Sequence, residues 1–292
     1  MPSDQNVDFK PFFSIVISTH NRCEMLKRAL RSIAAQERSD IEVIIVDDAT
    51  PGGCQAALHS FDFMQLRLLE NEACVGPAVS RNRGVHASQA RFVAFLDDDD
   101  EYLPGYLDCV IRLIKSEPSL ELLWTGVEIC DEESSGMSQP IQLIYDTALV
   151  QREEAFLQLF SIGIGFGVVV RRDTFLRLGG FDEQLSLVED TEFFLRVIAA
   201  DCQVTAMPGV NVRLHNHAGA RMTNADNHRL RLQECLALRE KYQTLLSAKP
   251  ALAVQLDTHI ESLFSADAEA MTGFLAYPKI PGRHLHPAGY QC

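Results

Sequence analysis

The sequence predicts an α/β fold: a mostly parallel mixed sheet flanked by helices, with a helical appendage at its C-terminal end. Three observations carry that expectation. Short apolar, β-branched runs alternate with helix-period segments through the first half. Each run closes on polar or acidic residues, and beyond Arg221 the pattern turns helical and more polar.

The elements follow in order. Phe12 to Thr19 (FFSIVIST) has the length and β-branching of a buried strand. Leu26, Ala29, Leu30, Ile33 and Ala34 then recur at helical spacing, and Asn21 with Glu24 has the form of a capping box at the start of that helix. Ile41 to Asp48 (IEVIIVDD) reads as a second strand, closed by Thr50-Pro51-Gly52-Gly53, and Met64 to Glu70 as a third. Pro77 opens a helix through SRNRGVHAS, because a first-turn proline lacks only an N–H that would have no partner there. Arg91 to Leu96 is the next strand. After it, Pro104 starts a helix with Leu107, Val110, Ile111 and Ile114 on one face, and Pro118 stops it. The second half is less regular: a strand at Leu120 to Cys130, a polar loop at Asp131 to Pro140, a short strand within Gly165 to Arg171, and a helix from about Asp190 to Ala200. The division expected is a nucleotide-binding and catalytic unit over residues 1–220 and a helical extension over 221–292.

Composition removes several classes of function. A net charge of -14 argues against a general nucleic-acid binder, since phosphate backbones attract clustered Lys and Arg. No run approaches the roughly 20 consecutive apolar residues of a membrane span, and MPSDQNVDFK lacks the basic start and apolar stretch of a secretion signal, so a cytoplasmic protein is expected. The eight cysteines have no C-x-x-C spacing and most fall within apolar patterns; reduced core thiols are expected, not zinc ligands or disulfides.

The segment FVAFLDDDDEYLP places four carboxylates, Asp97 to Asp100, at the end of a buried strand. A charge run is most often a solvated turn. Here, however, the acids fall at the strand edge where open α/β sheets place their ligands, and they repel one another. A hard divalent cation would relieve the repulsion; carboxylate oxygens suit Mn²⁺ or Mg²⁺, which keep open positions for substrate phosphates. Thr19-His20-Asn21-Arg22 and Asp47-Asp48 end the two neighbouring strands and converge on the same edge, although paired Asp before a turn is by default only a good turn former.

FSIVISTHNR, EVIIVDDAT, GPAVSRNRG, FVAFLDDDDEYLP, GGFDEQL and VEDTEFFLRV together resemble the family 2 glycosyltransferases, in that family's order and at similar spacings over about Phe12 to Thr223. The resemblance implies a GT-A fold and transfer of a sugar from a nucleotide-diphosphate donor, with inversion and with Mn²⁺ or Mg²⁺. It implies that Thr19, Asn21, Arg22 and Asp48 hold the nucleoside, Asp48 meeting the uracil edge. Asp97 or Asp98 would lie nearer the ribose and Asp99 would bind the metal. Val188-Glu189-Asp190 is similar to the family's ED motif, with Asp190 the general base and Glu189 orienting the site; otherwise a carboxylate pair at a helix start is only a favourable dipole partner. Of His215 and His217, the following GARMT favours His217 as the late histidine that reaches the metal or the diphosphate. Arg81 either faces the donor or is a solvated helix residue, and the glycines of GIGFG either line the donor sugar or simply turn the chain.

Two other classes compete. A metal-dependent nucleotidyltransferase also gathers Asp at strand ends, but STHNRCEM lacks the glycines of a phosphate loop. A non-catalytic nucleotide-sugar binder predicts loss of the acidic run or of the ED pair, and both are present. The partners expected are a UDP-sugar donor and a carbohydrate or lipid-linked acceptor of cell-surface polysaccharide or lipopolysaccharide synthesis. Arg221 to Lys249, with six Lys or Arg against three Asp or Glu, is either a solvated helix packed on the core or a contact for the inner membrane face or a second copy.

Overall fold

The computed structural model describes residues 11–61, 65–132, 140–145, 152–217, 227–265 and 283–287. The first half contains β1 (Phe13–Thr19), α1 (Cys23–Ala34), β2 (Ile41–Asp47), α2 (Gln55–Leu58), β3 (Gln65–Glu70), α3 (Pro77–Ala87), β4 (Phe92–Phe95), β5 (Glu101–Tyr102) and α4 (Tyr106–Ser116). Next come β6 (Leu122–Asp131), β7 (Ile141–Tyr145), α5 (Arg152–Leu159), β8 (Val169–Arg171), α6 (Arg172–Arg177), α7 (Glu189–Ala199) and β9 (Val204–Asn216). They are followed by α8 (His228–Lys241), α9 (Gln243–Ala248), α10 (Pro250–Ser265) and β10 (Arg283–Pro287).

One sheet runs through the described residues in the order β10-β7-β6-β8-β4-β1-β2-β3, with β9 beside β6 and carrying β5 on its other side. The run β4-β1-β2-β3 is parallel, as the alternation of strand and helix predicts. β1 and β2 are buried almost throughout, since helices cover both faces, which is why their sequences are continuous apolar runs. β3 lies at the sheet edge and is half exposed, so its pattern is weak. β8 enters antiparallel between β4 and β6 and makes the sheet mixed.

Several local expectations change. Asn21 and Glu24 form no capping box: the N-cap of α1 is Arg22, without a side-chain cap bond, and Asn21 takes φ +58° in the loop before it. Pro104 lies outside α4, whose N-cap is the left-handed Gly105. Pro77 does open α3, after Gly76. The expectation of reduced core thiols fails for Cys23 and Cys54, which form a disulfide with their Cα atoms 5.4 Å apart. Folding the loop after β1 against the loop after β2 brings together two residues 31 apart in sequence, a proximity no spacing rule reveals. Of the others, Cys202 and Cys235 are buried, Cys109 and Cys130 half-buried and Cys74 exposed. Cys292, Met64, most of the polar loop (133–139) and the GARMT stretch with the start of the C-terminal segment (218–226) lie outside the described residues.

Strand β9 was hidden by Pro208-Gly209 in its middle. There its pairing with β6 shifts register around Gly126. A Cβ at Gly126 would stand 2.4 Å from the Gly209 carbonyl oxygen and 2.7 Å from that of Leu143, both backbone. Gly126→Ala is therefore expected to lower stability by about 1–3 kcal/mol, since neither neighbour can rotate away. Chemical denaturation measures it, and an unchanged midpoint would show that the β6–β9 seam is looser than its contacts indicate.

Behind the strand ends, Phe95 of β4, Phe175, Phe181 and Phe193 of α7 form one aromatic cluster, with neighbouring centroids 5.0–5.9 Å apart. Each such pair contributes about 0.5–1.5 kcal/mol beyond its area, so the start of α7 is held firmly against the strand that ends in the acidic run. The C-terminal helices join the same core through Cys235, Leu238, Leu246, Leu252, Leu256 and Ile260.

Candidate active site

The parallel ladder brings the ends of β1, β2 and β4 to one edge, and backbone bonds continue past the strands: Asp48 N–H donates to Thr19 O at 2.8 Å and Asn71 N–H to Asp47 O at 2.8 Å. Asp47 serves the turn alone, accepting from the amides of Thr50 (3.0 Å) and Cys54 (2.9 Å). Asp48 is a keystone for the loop at 71–76. Its Oδ1 accepts from Asn71 Nδ2 (2.7 Å) and Val75 N–H (2.9 Å), and its Oδ2 from Gly76 N–H (2.8 Å). Burial works against its charge, but the Val75 amide, the Asn71 carboxamide and the Gly76 amide outweigh that and hold its carboxyl below the usual range. Asn21 is exposed, with its amide on Thr50 Oγ1 at 2.9 Å and its side chain against His20.

The acidic run is buried from Asp98 to Asp100, with Asp97 half-buried. Repulsion among its carboxylates was the sequence argument for a metal; the chain already answers much of it with its own groups. Arg22 Nη1 lies 3.0 Å from both Asp98 Oδ1 and Asp99 Oδ2. Thr19 Oγ1 donates to Asp98 Oδ2 at 2.7 Å. Arg81 Nη2 pairs with Asp97 Oδ1 at 2.8 Å, and Asp100 accepts from the backbone of His215 at 3.0 Å. Asp98 is pushed up to about 6 by burial and by its neighbour Asp99, against the pull of Arg22. Arg28, unremarked in the sequence, donates to the Asp99 carbonyl at 2.7 Å.

The second centre is joined to the first by one side chain. Arg81 is a buried bridge, not a solvated helix residue: Nη1 meets Glu189 Oε1 at 2.7 Å while Nη2 holds Asp97. Asp190, half-buried at the start of α7, accepts from the Thr191 amide at 2.6 Å and from the Ile164 amide at 3.1 Å. Burial and the adjacent Asp190 raise Glu189 to about 7, opposed by Arg81. Burial also raises Asp190, opposed by Arg81 and the two amides. The glycine loop lies between the centres. A Cβ on Gly163 would stand 3.4 Å from Asp190 Oδ2, and one on Gly165 only 2.9 Å from Asp97 Oδ2 and 3.3 Å from Asp100 Oδ2. GIGFG is thus a close-approach surface facing both sets of acids.

His217 Nε2 lies 3.0 Å from Asp99 Oδ2, whereas His215 is turned away between Glu101 (2.6 Å) and Glu132 (2.8 Å). A carboxylate oxygen and an imidazole nitrogen so placed fit two neighbouring positions around Mn²⁺ or Mg²⁺. Among the described residues no group of three or more His, Cys, Asp or Glu side chains is arranged to hold a metal, so an ion at Asp99 and His217 would need water and phosphate oxygens for its remaining positions.

A curled, mostly parallel sheet with acids at its strand ends is the GT-A arrangement, and comparison with known proteins agrees. Residues 14–178, more than half of the chain, match glycosyl transferase family 2, and the protein belongs to that family. It is 29% identical over 185 residues to an uncharacterised glycosyltransferase of Haemophilus influenzae, a match covering 63% of this chain and 61% of that one. It is 28% identical over 150 residues to the putative teichuronic acid biosynthesis glycosyltransferase TuaG of Bacillus subtilis, covering 49% and 58%. Among solved structures, S. aureus TarS 1-349 in complex with UDP-GlcNAc superposes with a TM-score of 0.60 at 19% identity, over 92% of this chain and 76% of that one. The mannosyltransferase PcManGT from Pyrobaculum calidifontis, in complex with GDP-Man and Mn²⁺, gives 0.61 at 16% identity over 91% and 78%. These two likenesses establish the shared fold. The family match ends before Glu189 and Asp190. No helix among the described residues is long and apolar enough to cross a membrane.

Proposed function

We propose that this glycosyltransferase moves a sugar from a UDP-sugar to an acceptor hydroxyl with inversion, with a divalent cation bound at Asp99 and His217, in the assembly of a cell-surface polysaccharide. The observation that carries the reading is the Arg81 bridge, by which one buried guanidinium joins the strand-end acids to the ED pair. Thr19, Asn21, Arg22 and Asp48 line the nucleoside end. Asp97 and Asp98 face the ribose and the sugar, and the glycine loop leaves room for them. Asp190 takes the proton of the acceptor hydroxyl as its oxygen bonds to the anomeric carbon, and the bond from that carbon to the diphosphate breaks with its electron pair leaving on the nucleotide. Glu189, paired with Arg81, keeps the start of α7 oriented. When bound, the cation supplies charge neutralisation at the departing diphosphate. Support for the donor comes from the UDP-GlcNAc complex of a protein with this fold, and for the pathway class from TuaG.

Calorimetry with UDP tests the donor site. UDP is expected to bind more tightly with Mn²⁺ than with a chelator, and Asp99→Asn is expected to remove most of that gain, because it takes away a proposed ligand of the cation. Metal-independent UDP affinity in the parent protein would count against the assignment.

A further inference from the structure

The C-terminal helix α8 reaches the catalytic helix at two levels. Glu234 of α8 is buried, and its two carboxylate oxygens accept from successive backbone amides: Oε1 from Ser186 at 2.8 Å and Oε2 from Leu187 at 3.0 Å. Those amides form the turn that leads directly into Val188, the N-cap of α7, and so into Glu189 and Asp190. Further along α7, the almost fully buried Glu192 accepts from Lys241 Nζ at 2.9 Å and from the Tyr242 hydroxyl at 2.5 Å. An acid from α8 thus holds the backbone before α7, and an acid from α7 holds the far end of α8.

We infer that Glu234 is a positioning residue for the base Asp190, acting through the Ser186–Leu187 turn. The inference rests on Asp190 being the base. Bidentate acceptance fixes two consecutive peptide planes, and with them the direction in which α7 starts. A buried carboxylate is a costly way to achieve packing alone and persists where its hydrogen bonds are needed. Cys235 and Leu238 seat the same helix in the core, so the clamp is attached to a rigid body. Arg231, one turn before Glu234, favours the charged form of Asp190, consistent with α8 lying against the base. Displacing a catalytic group by about 1 Å can cost on the order of 10²-fold in rate.

The test uses the full chain with Glu234→Ala, Glu234→Gln and, in parallel, Asp190→Asn. Hydrogen exchange should show the amides of residues 186–191 opening about 10-fold faster or more in Glu234→Ala while those of β1, β2 and β4 are unchanged. Turnover, read as nucleoside diphosphate released from UDP-GlcNAc, UDP-glucose and GDP-mannose with Mn²⁺, should lose about 10- to 100-fold in kcat, with UDP affinity within about twofold of the parent. Glu234→Gln should fall between, because its carbonyl can accept only one of the two amides, and it decides the matter if the Ala variant does not fold. Unchanged exchange at 186–191, unchanged kcat, or a fall in UDP affinity that matches the fall in kcat overturns the clamp. Retained turnover in Asp190→Asn overturns the base assignment instead; loss there with none in either Glu234 variant overturns only the clamp.

Discussion

Asp190→Asn is expected to lose about 10²- to 10⁴-fold in turnover while UDP binds with Mn²⁺ as in the parent, because a general base acts on the acceptor and not on the nucleotide. The amide keeps the side-chain shape but cannot take a proton. It can accept only one of the two backbone bonds that Asp190 now accepts, from Thr191 and from Ile164, so a stability loss of about 1 kcal/mol should accompany the kinetic one. That loss is too small to explain the rate. The pH profile provides a second reading. Burial raises Asp190, so the parent's kcat/KM should fall as pH drops through a value above the ordinary aspartate range, and this acid limb should vanish in the variant. If Asp190 only accepts backbone bonds at the start of α7, Asn keeps one of the two and turnover stays near normal. Steady-state release of nucleoside diphosphate beside UDP calorimetry separates the two.

Arg81→Met should be the most destabilising single change at the site, costing about 3–5 kcal/mol near pH 8, since it removes one cation from two partly or fully buried carboxylates. The loss should shrink toward pH 6. Glu189 in the folded parent already titrates near 7, raised by burial and by Asp190 and restrained by Arg81; without Arg81 it rises further. A carboxyl whose folded value lies above its unfolded value binds more protons in the folded state, so it favours folding at low pH, and that contribution is lost as pH rises through the folded value. Protonated Glu189 needs no cation, which leaves Asp97 as the main casualty at pH 6. Arg81→Lys should recover only part, because a single ammonium cannot span both partners as the guanidinium fork does. Denaturant unfolding at the two pH values measures this. Equal losses at pH 6 and 8, or a loss below about 1 kcal/mol, would show that water already screens the pair.

The parallel half was legible because its strands are covered on both faces: β1, β2 and β4 needed no partner information to be recognised. β7, α5 and β9 were not. β9 carries Pro208-Gly209 within a strand that tolerates them only because Gly126 opposite has no side chain, a pairing between residues more than 80 positions apart. The acids of the candidate site could be picked out because carboxylates at strand ends and before an apolar helix are unusual enough to name. Their counter-charges could not. Arg22, expected at the nucleoside, pairs with Asp98 and Asp99; the role of Arg81 stayed open because a helix surface and a buried bridge look alike in sequence. The saturation of Asp48 by the 71–76 loop, the grip of Arg28 on Asp99 and the Cys23–Cys54 bridge all depend on how loops from different strands fold against one another. Local pattern does not encode that.

The arginines that partly offset the acidic run bear on the order in which the chain assembles. Arg22, Arg28 and Arg81 all precede Asp97, so during synthesis, which proceeds from the N-terminus, the cations are available when the acids emerge. Glu189, His215 and His217 come a hundred residues or so later. A nascent strand β4 can therefore dock beside β1 with part of its negative charge already offset by Arg22 and Arg81. What arrives last is the histidine beside Asp99 and the carboxylate pair beside Arg81, the groups to which the proposed function gives the cation and the acceptor, so under that proposal folding and chemistry draw on successive stretches of the same polypeptide.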